Sequence, residues 1–529
     1  MTRLAPPRLA RAWAALALAA VFVVALGSVA RAQSAAQSAA DQALEAWDIG
    51  EAEAMIERLL ADEADAPWNL YLKGKLFLMK GDYRAAADWL SQAQTREPNL
   101  VFQHHLQLAL NTHEETKDYV RHRTKSGYFE IATAKGVDEI LIPYAEETLE
   151  QAYRELTRIF DYTPELPIRI EFYPTVDVLG SVSPLTVAEI RTSGTIALCK
   201  YNRLMVTSPR DLVYGYDWLD TIAHELIHLL ITKKSKNSVP IWLHEGLAKY
   251  YEVMWRADQK PSLDRHSESF LATALQKDQL ISFEAMSPSM AKLPSQEATA
   301  TAFAEVWTVV KFLNERRGKD VAAELVAAMR DGQSDREAVA AVSGIPWDRF
   351  ERSWKGFLKQ QGYRPLDADY QQRLLFKGKD TESDELAEIK IDRAREFVWL
   401  GDQMRLRKRW TAAILEYEKA GKHVGDRSPL VQGKLGYALL RAKRFEQAAD
   451  ELQKPIVDHP RHVVLHVYLG EALLELGRYE EARRHLEEAL TLNPFDPDVH
   501  GNLAKVYEHL GLPDLAARER EADRRLKQE

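Results

Sequence analysis

Apolar residues along most of this chain recur every three or four positions, the spacing that turns one face of an α-helix toward a core. Leu141, Ala145, Leu149, Ala152, Leu156 and Ile159 follow that rule and predict one amphipathic helix. Alternation with a period of two is confined to the middle of the chain. Tyr128 to Thr133, Ile168 to Phe172 behind Pro167, and the stretches around Thr195 to Leu198 and Arg203 to Val206 read as strands. Only helices are predicted after them, so the middle is an α+β domain whose strands come first.

At both ends the helical pattern itself repeats. In the 34 residues from Val463, Gly470 falls at position 8, Leu473 at 11, Ala482 at 20, Leu486 at 24, Ala489 at 27 and Pro494 at 32. One period back stand Gly436, Ala448, Leu452 and Pro460; one period on stand Ala504 and Ala516; a copy displaced by one residue has Gly401, Ala413 and Ala420. Near the N-terminus Gly74, Phe77, Ala86, Leu90, Ala93 and Pro98 hold the same register, with a partial copy at Ala52 and Ile56 and a capping helix predicted over Val101 to Val120. Small residues at such positions let paired helices approach closely, and each pair buries its remaining face on the next. The pattern resembles tetratricopeptide repeats, three to four of them at the C-terminal end. That resemblance implies a concave surface for protein partners; a structural spacer or dimerisation arm is the other reading.

The first 32 residues stand apart. Arg3, Arg8 and Arg11 precede an apolar run from Ala12 to Ala25, and Ala30-Arg31-Ala32 offers small residues for cleavage before Gln33. This is the order of a secretory signal peptide and places the mature protein in the periplasm or outside the cell; an uncleaved anchor is the alternative. No later segment is apolar enough to cross a bilayer, and no transmembrane segment is expected after cleavage. With Cys199 as the single cysteine there is no internal disulfide, and that thiol reads as a buried structural one. A net charge of −9 without a long basic run argues against a nucleic-acid surface, and no nucleic-acid partner is expected. The polar stretch from Lys377 to Glu385 reads as a linker. The expected organisation is a signal peptide over 1–32, repeats over 33–125, the α+β domain over 126–363, a linker over 364–390 and repeats over 391–529.

The chemistry concentrates in two segments. His224-Glu225-Leu226-Ile227-His228 lies in an apolar helical run in which Ile222, Leu226, Leu229 and Leu230 mark a mostly buried helix. Residues four apart share a helix face, so both imidazoles can meet one metal ion with Glu225 beside its open position. Seventeen residues after His228, Glu245 sits in Trp242-Leu243-His244-Glu245-Gly246-Leu247-Ala248, a second predicted helix with Pro240 in its first turn. Two histidines, one glutamate and a water make an open, catalytic type of zinc site rather than a closed structural one. His244 reads as a supporting or packing residue, and Tyr250 and Tyr251 as core and rim.

These two segments resemble those of the gluzincin metallopeptidases, in particular the peptidase-MA-like domains of exported bacterial proteins. The resemblance runs from Tyr128 through the sheet to the helix over Ala302 to Leu313, and ends near Trp347 to Leu358. It implies a thermolysin-like fold, so that the whole chain is mainly α, with a thermolysin-like α+β metallopeptidase domain between two tetratricopeptide-type repeat regions. It further implies one Zn²⁺ held by His224, His228 and Glu245, with Glu225 as general base, and peptide or unfolded protein substrates paired along an edge strand at Thr195 to Cys199 or Arg203 to Val206.

The chain departs from the family at two places. From Glu252 to Gly362 there is no tyrosine, Phe303 stands where related sequences often carry one, and His266 is the single histidine. His266, Tyr250 and Tyr251 are therefore the candidates to stabilise an oxyanion. The residue four after Glu245, acidic in some gluzincins, is Lys249, which leaves the group that orients His224 or His228 unassigned. Two functions from different classes follow. One is an exported zinc endopeptidase whose repeats deliver clients. The other is a weak or inactive metallopeptidase-like envelope scaffold acting through its repeats. An aminopeptidase is disfavoured, because no Gly-x-Met-Glu-Asn segment precedes His224.

Overall fold

The computed structural model describes residues 33–257, 259–287, 289–318, 320–366, 374–377, 386, 389–425 and 428–528. The predicted signal peptide, 1–32, and most of the 364–390 linker lie outside them. The chain is mainly α with one small mixed sheet, and it divides into two compact units. One holds the described residues up to Leu44 and Ile49–Leu110; the other holds Glu45–Asp48 and everything from Asn111.

The first unit is built of antiparallel helices: α1 (Ala35–Glu45), α2 (Ile49–Asp62), α3 (Pro67–Lys80), α4 (Tyr83–Arg96) and the start of α5 (Leu100–Thr116). Pro67 opens α3, where its missing N–H costs nothing, and left-handed Gly81 ends it. Gly74 is where α3 and α4 touch: a Cβ there would run into Leu90. The same contact recurs at the equivalent glycines Gly401, Gly436 and Gly470, which meet Tyr417, Leu452 and Leu486. The small residue at position 8 is thus required by the large one at position 24 of the same helix pair.

The second unit contains a five-stranded sheet. Its strands are β1 (Val120–Arg123), β2 (Phe129–Thr133), β3 (Ile168–Tyr173), β4 (Ala197–Lys200) and β5 (Arg203–Thr207), in the order β1-β2-β3-β5-β4. β2, β3 and β5 run parallel, and β1 and β4 are antiparallel edges. β1 falls inside the stretch read from sequence as the end of the N-terminal repeats. Of the two segments considered for substrate pairing, only β4 has a free edge; β5 is interior, and all five of its residues are buried.

Helices α6 (Leu141–Phe160), α7 (Val176–Val182) and α8 (Val187–Ser193) connect the strands. The predicted stripe of α6 forms its buried face, with Leu141, Ala145, Leu149, Ala152 and Leu156 fully covered and Ile159, at its end, half-buried. Among the described residues seven helices follow: α9 (Trp218–Ser235), α10 (Ile241–Tyr251), α11 (Arg265–Lys277), α12 (Gln296–Arg317), α13 (Val321–Arg330), α14 (Asp335–Ser343) and α15 (Trp347–Gln360). α9 is buried on nearly every side, as its continuous apolar run requires.

The C-terminal repeats form four helix pairs: α16 (Asp392–Leu406) with α17 (Trp410–Val424), α18 (Pro429–Arg441) with α19 (Phe445–Ile456), α20 (Val463–Glu475) with α21 (Tyr479–Leu492), and α22 (Pro497–His509) with α23 (Pro513–Leu526). They belong to the same compact unit as the sheet. The Tyr216 amide donates to the Leu492 carbonyl at 2.8 Å, and the buried Trp218 indole to the Leu490 carbonyl at 3.1 Å. Gly215 adopts φ +70, and a Cβ on it would collide with the Leu492 carbonyl, so the two backbones meet directly. A second anchor lies at the chain's end, where the Tyr144 hydroxyl donates to fully buried Glu519, itself 2.7 Å from His500 Nδ1. At 374–377, inside the expected linker, Phe376 forms a bridge to Leu212.

Candidate metal centre

α9 carries His224, Glu225 and His228 with only 9%, 4% and 8% of their surfaces exposed. A left-handed turn at Lys236 and Asn237 ends this helix, and the chain returns as α10, with Pro240 at its N-cap rather than within its first turn. Two contacts fix α10. Trp242 donates its indole N–H to Asp335 at 2.9 Å. Gly246 lies against the Val306 carbonyl of α12, where a Cβ would be too close. This seating brings Glu245 back toward α9.

Glu245 Oε2 lies 3.3 Å from His224 Nε2 and 3.2 Å from His228 Nε2. Ligands about 2.0–2.1 Å from a tetrahedral metal stand about 3.3–3.4 Å apart, so these separations are those of a ligand set. The other face of each ring is occupied. His224 Nδ1–H donates to Glu252 Oε2 at 2.9 Å, and Lys249 reaches the second Glu252 oxygen at 2.5 Å. His228 Nδ1 is 2.5 Å from His244 Nδ1, and His244 Nε2 is 3.3 Å from the Thr232 hydroxyl. Burial and the charge of His228 push His244 far below the usual histidine range, so it is neutral. A neutral His244 can accept from the His228 Nδ1–H and donate to Thr232, which fixes the ring with its Nε2 turned toward Glu245, the atom that a bound cation would take in place of a proton.

The electrostatics favour a cation at this point. Burial would raise Glu245, but the charge of His228 and the hydrogen bonds from both imidazoles hold it well below the usual carboxylate range. Burial would likewise lower His224, yet Glu245 and Glu252 raise it to about 10. The cluster therefore attracts positive charge, and a divalent cation could take the place of that proton. Glu225 differs from Glu245. Burial raises its carboxyl to about 7, and its Oε2 is buried with no hydrogen-bond partner among the described residues. Two imidazole nitrogens, one carboxylate and a spare buried carboxylate suit one borderline-soft divalent ion. Among the described residues, His224, Glu225 and His228 are the one group of three metal-ligating side chains close enough to share an ion, and Glu245 joins them through its contacts to both imidazoles.

The Peptidase MA superfamily model matches residues 123–360, and a TPR repeat model matches residues 470–511. The chain carries a Peptidase MA superfamily domain. Similar solved structures include a TPR domain of Arabidopsis OM64, at 23% identity over 22% of this chain and 95% of that one, with a TM-score of 0.21. MamA shares 19% identity over 26% and 80%, with a TM-score of 0.24. A thermophilic TPR protein of Thermus thermophilus, TTC0263, shares 23% over 26% and 75%, also with a TM-score of 0.24. A search of curated proteins gives no match.

Within the Peptidase MA domain the remaining sequence candidates separate. Tyr251 is core: its hydroxyl donates to Asn314 at 2.9 Å and its ring packs on Phe160. Tyr250 packs on Tyr251 and Trp307. Both tyrosines are thus engaged in packing α10 against its neighbours. His266 faces a cleft and lies 3.0 Å from His459 of the repeats. Phe303 packs edge-on against His224, with ring centroids 6.2 Å apart. Cys199 is half-buried on β4 rather than fully buried, and burial with the nearby Glu225 charge pushes its thiol far up from the usual range.

Glu252 is the residue the sequence reading missed. It lies seven positions after Glu245, two turns along the same helical face. Asp220 was missed too. It stands one turn before His224, held by the Trp255 indole at 2.9 Å and Arg256 Nε at 3.1 Å.

Proposed function

We propose that this protein is an exported zinc-dependent endopeptidase of the gluzincin type, acting on peptides or unfolded proteins. The observation that carries the reading is the convergence of both Nε2 atoms on one Glu245 oxygen, at 3.3 and 3.2 Å. His224, His228 and Glu245 would hold the ion, which when bound supplies a Lewis acid and a water acidified toward neutrality. Glu252 and His244 hold the two rings with Nε2 turned inward. Glu225 takes the proton from the attacking water at its unpartnered Oε2 and passes it to the leaving nitrogen. The free edge of β4 offers main-chain groups to an extended substrate. Export rests on the charged, apolar and small-residue order of residues 1–32.

The test uses protein recovered from the cell envelope, whose first residue export sets at Gln33. One zinc per chain is expected, with digestion of a peptide library at neutral pH that a chelator abolishes and added Zn²⁺ restores. Undiminished digestion by metal-stripped protein would remove the reading. Phe303, which brings a ring but no hydroxyl to His224, favours a second reading as a weakly active scaffold. A protein that holds zinc and cleaves nothing in that assay would belong to it.

Glu252→Gln tests the orienting role separately. Groups that position a metal-bound histidine are worth about 10–100-fold in affinity or activity. The substitution is expected to weaken zinc retention by that factor in competition with a chromophoric chelator. Unchanged retention would assign Glu252 to packing alone.

A further inference from the structure

Between the Peptidase MA domain and the C-terminal repeats lies a cavity of about 280 Å³. That is just below the roughly 300–1,000 Å³ of sites that hold whole small molecules, and it suits a single large side chain. Phe303 lines it while also packing on His224, so the cavity opens beside the candidate metal centre. We propose that it is a specificity pocket for a large apolar side chain of the peptide, walled on one side by the repeats. This rests on the peptidase reading above.

Most polar groups of the lining already have partners. Arg461 Nε pairs with Asp217 at 2.6 Å, and its Nη1 lies 3.7 Å from Asp264. Asp264 also accepts from the amide and hydroxyl of Ser267, both at 2.9 Å. Gln296 is bonded to the backbone of Arg191 and Leu374. Most of what remains for a guest is apolar, the half-buried rings of Phe270 and Phe303 with Ala300, Leu374 and Leu492, while the exposed Glu297 adds a further negative charge at the rim. Two aspartates share one guanidinium here, so an acidic guest is repelled. The wall from the repeats is fixed, because Leu492 is the residue whose carbonyl is clamped by the Tyr216 amide against Gly215. The docked repeats thereby set the pocket's shape, a role separate from capturing a partner.

Cleavage-site profiling of a peptide library with the full-length protein tests this. The wild type is expected to enrich Phe, Leu or Met at one position beside the scissile bond and to deplete Asp and Glu. Ala300→Trp fills the cavity and should lower the preference for Phe over Ala by 10-fold or more. Leu492→Ala enlarges it from the repeat side and should shift the preference toward Trp. A profile unchanged by both substitutions overturns the proposal.

Binding is read independently in Glu225→Gln protein. The probe is a blocked Gly/Ser decapeptide with one central 4-fluorophenylalanine, displaced by its Phe, Ala or Glu analogue and followed by ¹⁹F line broadening. Ten-fold weaker displacement by the Ala analogue, abolished by Ala300→Trp, supports the pocket even if no cleavage is ever seen. Equal displacement by all three analogues overturns it even if the protein proves an active peptidase.

Discussion

Glu225→Gln is expected to lower kcat by about 10²–10⁴-fold while leaving zinc content and fold unchanged. Glutamine keeps the shape and removes the proton acceptor. It takes no ligand away, because the three converging atoms belong to His224, His228 and Glu245. Burial has raised this carboxyl to about 7 against the pull of the two histidines, and glutamine keeps its size and polarity there. The Oε2 atom that would do the work has no hydrogen-bond partner among the described residues. A purely structural carboxylate at 4% exposure would have acquired one. Steady-state hydrolysis of the best library peptide, with zinc measured on the same sample, checks the result. Undiminished kcat with full zinc would show that the proton is handled elsewhere. Loss of zinc together with activity would show that Glu225 holds the site in place.

What the sequence disclosed about this centre follows from distance along the chain. His224 and His228 were legible because they lie one helical turn apart in an apolar run. Glu245 was legible because its helix follows at once. Glu252 escaped because the position inspected was four after Glu245, whereas a side chain seven residues on returns to the same face. β1 escaped because Val120-Arg121-His122-Arg123 has one apolar residue, as an edge strand beside solvent can.

Arg461 was beyond reach. In the repeat register it is a residue of the turn between helix pairs, and nothing in that register says it will pair with Asp217 at the start of α9. The repeats themselves were legible as helix pairs, but their docking was not. Docking is specified by Gly215, Tyr216 and Trp218 meeting the end of α21, and these residues carry no periodic signal. The functional consequence is substantial. The C-terminal repeats, read from sequence as a concave partner surface or else a structural spacer, share a compact unit, a half-buried ion network and a cavity with the Peptidase MA domain.

Arg203 and Glu171 form the most fully buried ion pair in that domain, and breaking it is expected to have the largest effect on stability. Their side chains are 0% and 1% exposed, and Arg203 Nε lies 3.2 Å from Glu171 Oε2. The Tyr173 hydroxyl donates to the same oxygen at 2.5 Å, and Arg203 Nη2 donates to the Val182 carbonyl at 3.3 Å. The pair joins β3 to β5, and β5 carries the edge strand β4. Arg203→Met removes this cation from beside the buried Glu171 carboxylate, and breaking a buried pair from one side costs about 3–5 kcal/mol. Replacing both partners, Arg203→Met with Glu171→Leu, removes the stranded charge and should restore most of that loss, since an apolar pair of similar volume is often neutral or better. Urea unfolding of the two single variants and the double variant yields the coupling energy directly. A single-variant loss below about 1 kcal/mol would show that the sheet does not depend on the charge pair. A double variant no more stable than either single would show that the two side chains matter for their shape rather than their charge.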